Sequence, residues 1–209
     1  MPDRPAYTQS VDQLIEQFAT LPGIGRRTAE RLTFHVLKSS NEDALRLAHA
    51  IQHVKQSVRN CSVCFNLTEA DPCEICRDSR RDPRRILVVE QPKDVITFQQ
   101  TRAHDGVYHV LLGHLSPLDG VGPSDLTIPG LIDRVRKLLE DGDTPPEVIL
   151  GTNPNMEGDG TAMAIAAELD KLGPVNVTRL ARGVPTGSQL EYASKSVISD
   201  AIHGRQSIK

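Results

Sequence analysis

The four cysteines of the chain fall in one window, as Cys61-x2-Cys64-x8-Cys73-x2-Cys76. Two Cys-x-x-Cys knuckles each present two sulfurs at one point, and four thiolates at about 2.3 Å close a tetrahedral shell around Zn²⁺ with no open position. A closed shell serves structure rather than catalysis, so the spacing predicts one structural zinc per chain. Disulfides suit a reducing compartment poorly. A redox pair would open a βαβ unit, which neither knuckle does.

A second chemistry lies in Leu21-Pro22-Gly23-Ile24-Gly25-Arg26-Arg27, between two predicted helices. Pro22 presets one φ angle, Gly23 and Gly25 permit positive φ and close approach of another group, and Ile24 plugs a small core. The turn exposes backbone N–H groups at the start of the second helix, where the helix dipole favours an anion. Arg26, Arg27 and Arg31 add positive charge beside them. A DNA phosphate suits this chemistry. The arrangement is the helix-hairpin-helix pattern, which contacts the sugar-phosphate backbone without aiming at base edges. The plainer reading is an αα corner whose glycines only end a helix. A dinucleotide fingerprint fails, since no strand precedes Gly23 and Thr28 stands where the third glycine belongs.

The third candidate is acidic. Glu90 ends one predicted strand, and the loop Thr152-Asn153-Pro154-Asn155-Met156-Glu157-Gly158-Asp159 follows another. Loops after strand C-termini are where open α/β sheets place ligands. The pair resembles a Toprim domain, in which a strand-end glutamate and an Asp-x-Asp hold Mg²⁺. Here Asn153 and Asn155 occupy the two aspartate positions and offer neutral amides to a metal that prefers carboxylates. Glu90, Glu157 and Asp159 remain, which makes Mg²⁺ doubtful and a two-metal phosphoryl-transfer site unexpected. Glu157 and Asp159 have a structural alternative as N-terminal acids of the following helix. The sequence holds no Gly-x-Ser-x-Gly elbow and no Gly-x4-Gly-Lys loop. Nothing around Tyr108 or Tyr192 selects either as a nucleophile. No catalytic residue is therefore assigned.

The elements that must position these groups follow from periodicity. Residues 11–20 read as a helix with Leu14, Ile15, Phe18 and Ala19 on one face. A second spans Gly25 to Lys38 through Ala29, Leu32 and Val36, and a third, capped by Asn41, runs to about Val58. Beyond the non-periodic cysteine segment, Ile86–Glu90, Val107–Leu111, Val148–Leu150 and Val175–Thr178 are short β-branched runs. They are separated by segments of helical spacing, so an α/β fold with a mostly parallel sheet is expected. The Pro- and Gly-rich stretch from His114 to Pro129 reads as a loop, and Leu190 to Ile202 as a terminal helix. The predicted division is a helical hairpin region at 1–59, a zinc module at 60–83, a Toprim-type domain at 84–180 and a C-terminal tail at 181–209.

Composition narrows the functional classes. The chain has 209 residues, 38% hydrophobic and 24% charged, as in folded domains. The net charge of −3 divides into +2 over residues 1–85 and −5 over residues 86–209. A polyanion-binding surface must therefore be a local patch. With four Phe, three Tyr and no Trp, a row of base-stacking platforms is excluded, which favours backbone contacts. The longest apolar run, Ala162–Ala167, is far short of the ~20 residues of a membrane span. No secretory signal follows Met1, so a cytoplasmic location is expected, and nothing points to a small-molecule substrate.

The order of hairpin, four-cysteine module, Toprim-like segment and a tail with Arg182-Gly183-Val184-Pro185-Thr186-Gly187 and Leu190-Glu191-Tyr192 resembles the bacterial recombination protein RecR family over roughly Ser10 to Arg205. The resemblance implies a non-catalytic recombination mediator that works with RecO and RecF to place RecA on gapped DNA. It also implies a ring-shaped homotetramer joined through N- and C-terminal regions. Arg27 and Arg31 would line its hole, and Glu90 with the Asn153–Asp159 loop would face RecO. Two positions depart from the usual pattern: Ser188, where a second glycine is common, and Ser194, where an aspartate often stands. The rival readings are a Mg²⁺-dependent nuclease or topoisomerase using Glu90 and Asp159, and a protein-protein adaptor whose hairpin never touches DNA.

Overall fold

The computed structural model describes residues 7–142 and 144–207, which divide into two compact units, one up to Val58 and one from Arg59 onward. The first unit is helical: α1 (Gln9–Ala19), α2 (Arg26–Lys38) and α3 (Asn41–Ser57). Helices α1 and α2 pack through Ile15, Ala29 and Thr33, all buried, with Phe18 and Val36 half-buried beside them. Ala19 is exposed, because the helix ends there and the chain turns away. The cap of α3 differs from expectation. Ser40 holds the N-cap position and its hydroxyl accepts from the Asp43 amide at 3.1 Å, while Asn41 is the first helical residue. A serine and an asparagine in succession can each cap, and backbone conformation selects the first. Helix α3 has no buried residue, and Leu45, Leu47, Ile51 and Val54 are exposed.

The second unit begins with the cysteine module. Two short antiparallel strands, β1 (Arg59–Asn60) and β2 (Leu67–Thr68), flank the first knuckle, and the turn of helix α4 (Glu74–Arg77) carries the second. A four-stranded parallel sheet follows, built from β3 (Asp82–Val89), β4 (Gly106–Val110), β5 (Glu147–Leu150) and β6 (Asn176–Arg179) in the order β4-β3-β5-β6. Strand β3 sends alternate residues to opposite faces. Ile86 and Val88 pack beneath α6 (Ile128–Glu140) and α7 (Met156–Asp170). Leu87 and Val89 pack beneath α5 (Pro92–Thr101) and the cysteine module, through Val95, Phe98, Phe65 and Ile75. Burial on both faces explains why the strand reads as a continuous apolar run.

The chain leaves β3 toward β4 on one side and later returns to β5 on the other. The strand order thus reverses between β3 and β5, and a crevice opens at their C-terminal ends, where such sheets bind ligands. The outer edge of β4 is covered by the cysteine module, since the Val110 amide donates to the Cys64 carbonyl at 2.8 Å. The tail is two pieces rather than one helix. Leu190–Tyr192 forms a 3-10 turn, Ala193 is extended, and Ser194 caps α8 (Lys195–His203) by accepting from the Val197 amide. Serine at 194 thus fills a capping role that aspartate also performs.

Candidate nucleic-acid interface and metal centre

The turn between α1 and α2 divides its two glycines by role. Gly23 has φ +78°, which a side chain adopts only with strain, whereas Gly25 is extended with φ −80° and ψ 164°. The expectation that both supply positive φ therefore holds for Gly23 alone. Beyond its chain neighbours and the helix backbone, a Cβ on Gly25 would meet no atom of the described residues within 4 Å, so this glycine leaves open space directly before α2. As the N-cap it provides no side chain to satisfy the helix, and among the described residues the first N–H groups of α2, from Arg26 and Arg27, have no acceptor. A helix start of this kind has the chemistry to seat an anion.

The three expected arginines also divide. Arg26 turns to Glu30 at 3.5 Å. Arg27 and Arg31 instead share one groove with His35 and Lys38. Spacings of four, four and three place these last four on a single stripe of the helix. Sequence reasoning did not include His35 and Lys38, although their helical spacing from Arg31 was the available signal.

The four cysteines form the only group of three or more His, Cys, Asp or Glu ligand atoms among the described residues that lie within 4.8 Å of one another. Cys61, Cys64 and Cys73 are buried, and the Cys64 and Cys73 sulfurs are 3.5 Å apart. The Cys61 sulfur accepts from the amides of Cys73 at 3.3 Å and Val63 at 3.5 Å, which favours a thiolate. Burial pushes the Cys73 thiol up to about 11, and the hydrogen bond with Cys76, with burial, raises Cys64. Thiolate charge on Cys64 and Cys73 is therefore disfavoured by their surroundings unless a cation compensates it. The set fits one structural zinc per chain, held by all four cysteines.

At the sheet crevice, Glu90 is buried at 2% exposure although it directly follows the end of β3. Its Oε1 accepts from the Asn153 amide at 2.7 Å and its Oε2 from Asn153 Nδ2 at 2.6 Å, with His114 Nδ1 at 3.4 Å from Oε2. Gly158 permits this closeness, for a Cβ there would stand 2.1 Å from the Asn153 carbonyl oxygen. Asn155 is the N-cap of α7, accepting from the Gly158 amide at 2.8 Å. Both asparagines are exposed, yet their side chains are engaged by partners within the protein.

Glu157 is exposed in the first turn of α7. Asp159 points elsewhere: Arg179 and Arg182 both bind its Oδ1. The Arg182 guanidinium, with Arg179 beside it, holds Asp159 below the ordinary carboxylate range. The structure therefore brings Glu90 and Asn153 together and does not gather Glu90, Glu157 and Asp159 around one point. The Arg179–Asp159–Arg182 link ties α7 to the tail across a gap in sequence that no periodic pattern reveals. No helix among the described residues is long and apolar enough to cross a membrane.

The geometry defines a class: a Toprim-type parallel sheet joined to a four-cysteine zinc module and a helix-hairpin-helix. Family comparisons agree, matching residues 84–181 to the Toprim domain, residues 11–55 to the RecR helix-hairpin-helix and residues 58–78 to the RecR four-cysteine zinc finger domain. The recombination protein RecR of Rhodopirellula baltica is 47% identical over 200 residues, covering 96% of this chain and 98% of the relative. That of Pelotomaculum thermopropionicum is 48% identical over 203 residues, covering 97% and 98%. That of Syntrophotalea carbinolica is 46% identical over 202 residues, covering 97% and 98%. The chain belongs to the recombination protein RecR family.

Proposed function

We propose that the protein is a non-catalytic mediator of recombinational DNA repair that holds DNA by its sugar-phosphate backbone, independently of sequence. The observation that carries this reading is the uncapped, glycine-led start of α2 with Arg27, Arg31, His35 and Lys38 along one groove. Gly23, Gly25, Arg26, Arg27 and Arg31 form the binding turn, with His35 and Lys38 extending it. One such patch binds weakly in an acidic protein, and several copies in one assembly gain avidity. A homotetramer, ring-shaped and closed around DNA, supplies those copies. The exposed Leu47, Ile51 and Val54, spaced as one face of α3, and the exposed Leu190 and Tyr192 of the tail offer apolar surface for its N- and C-terminal contacts. The protein would act in the cytoplasm at the nucleoid, with RecO and RecF, to place RecA on gapped DNA. Residues 1–59, 60–83, 84–180 and 181–209 would serve as hairpin, zinc, Toprim and assembly regions.

The crevice supports the non-catalytic part. A metal-dependent Toprim site needs free carboxylates, and here Asn153 occupies both oxygens of Glu90 while Asn155 caps a helix. Glu90, Asn153, Asn155, Glu157 and Asp159 would then form a docking surface for RecO. The test is a gel assay on gapped, supercoiled plasmid at low salt with and without Mg²⁺, using the native chain, Glu90→Ala and the Arg27→Ala/Arg31→Ala pair. Retardation without nicking, unchanged in Glu90→Ala and lost in the double variant, is expected. Mg²⁺-dependent cutting or relaxation that Glu90→Ala removes would establish an enzyme instead. Retardation by neither the native chain nor its mixture with RecO would leave the adaptor reading.

A further inference from the structure

Helix α6 carries a cation that no acid meets among the described residues. Arg134 is half-buried, and its one hydrogen bond among the described residues runs from Nη1 to the Tyr108 carbonyl at 2.8 Å. The rest of the guanidinium has no hydrogen-bond partner there, and no carboxylate pairs with it. A charge drawn out of water and left unpaired is costly, so such a residue is expected beside an anion.

The anion is identified by the edge of β4. Tyr108 and Val110 turn their backbone groups to the same outer edge, two residues apart, or about 6.6 Å along the strand. Val110 N–H donates to the Cys64 carbonyl, and Tyr108 C=O receives Arg134. One turn of α6 earlier, Gly130 lets the ring of Phe65, the residue after Cys64, close over the helix: a Cβ on Gly130 would lie 2.8 Å from that ring. Arg134 and the Cys64 carbonyl thus meet the same edge of β4 two residues apart.

Four thiolates around Zn²⁺ form a dianion. Three of the four cysteines are buried, and two backbone amides reach Cys61. We propose that Arg134 is the counter-cation of the zinc-tetrathiolate centre, a positioning residue supplied by the Toprim helix that raises metal retention in the module. Each of the four cysteines exerts an electrostatic pull on Arg134, Cys76 most of all, against the desolvation that lowers its basicity. His109, which packs edge-on against Phe65 at 5.2 Å, is pushed down to about 3 by burial and by Arg134, so it remains neutral and adds no competing charge.

The test uses full-length, zinc-loaded protein with Arg134→Met, Arg134→Lys and, as control, Arg77→Met, which removes a cation next to Cys76 in sequence. Zinc release into excess metallochromic chelator is followed by absorbance. Arg134→Met is expected to release zinc about tenfold faster, the low end of outer-shell effects on metal affinity, because Arg134 acts by charge without bonding a ligand. Arg134→Lys should stay near the native rate, and Arg77→Met should match it. In cobalt-substituted Arg134→Met the sulfur-to-cobalt charge-transfer band should move to longer wavelength, which a purely mechanical role would not produce. Should Arg134→Met not fold, Arg134→Gln keeps a donor to Tyr108 while removing the charge and carries the same expectation. Release within twofold of native from the neutral variant, or equal acceleration in Arg77→Met, would overturn the proposal.

Discussion

Replacing Asn153 with aspartate tests the crevice by exchanging one amide for one oxygen. In the native protein Asn153 Nδ2 donates to Glu90 Oε2 at 2.6 Å, and the variant sets a second carboxylate there. Two effects add. A hydrogen bond to a charged acceptor contributes roughly 1.5–3 kcal/mol, all of it lost. Two like charges about 4 Å apart repel by about 4 kcal/mol at an effective dielectric of 20. Asn153 is exposed on its outer side and its side chain can swing toward water, so about a quarter of that repulsion is retained. The sum is about 3 kcal/mol, which for a chain of this size lowers the melting temperature by about 6–12 °C. Two adjacent carboxylates are also what a hard dication binds. Millimolar Mg²⁺ should therefore recover part of the loss in Asn153→Asp and leave the native protein unchanged. Thermal melts followed by circular dichroism, with and without Mg²⁺, read both effects. A variant melting within about 2 °C of native would show that the Asn153 amide does not hold Glu90 in place, and the case for a metal-free crevice would fall with it.

Other predictions address the remaining parts. Gly23→Ala, at φ +78°, should destabilise the hairpin by about 1–2 kcal/mol in denaturant titration. Gly25→Ala should cost up to about 1 kcal/mol, since alanine is a poorer N-cap than glycine, and should weaken DNA binding by anisotropy because its Cβ fills the space before α2. For Arg27→Ala/Arg31→Ala, the plot of log affinity against log salt should flatten by about 0.9 for each phosphate no longer neutralised. Asp159→Asn should loosen the tail at a cost of about 1 kcal/mol, discounted because Asp159 is 34% exposed. Since its folded-state acidity is raised by Arg182 and Arg179, that contribution is present above the ordinary carboxylate range and lost as pH falls below it. Proteolysis of the tail against pH would read it. Metal analysis should give one zinc per chain, and Cys61→Ser should lose both the zinc and solubility.

Local chemistry was legible in the sequence, and long-range pairing was not. The Cys-x2-Cys spacings and the Pro-Gly-Ile-Gly turn announce themselves because the groups that cooperate are neighbours in the chain. The parallel strands showed as β-branched runs because both faces of β3 are buried. Three things had no periodic signature. Asn153 marks an absent carboxylate in the sequence, but that its amide turns back onto Glu90 depends on β3 and β5 being adjacent. Asp159 stands in the first turn of α7 as its sequence position suggests, but that arginines of β6 and the tail also clasp it has no local signal. Arg134 has no signal in the sequence at all, because the first knuckle lies about 70 residues earlier in the chain. The tail misled for a local reason: Leu190 and Tyr192 are apolar residues near a helix, but the extended Ala193 and the hydroxyl of Ser194 start the helix afresh.

The coverage of β4 by the cysteine module gives the metal a second kind of importance. A parallel sheet ending in an open strand is a template on which other chains can add, and proteins go to some length to hide such borders. Here the concealment depends on a knuckle that keeps its shape through bound metal. Demetallation would do more than loosen a small appendage: it would bare Val110 and Tyr108 to any extended segment nearby. The failure expected of a zinc-starved protein is therefore clumping, visible as light scattering before the helices of the sheet unit melt. The four cysteines would then act as guardians of colloidal behaviour.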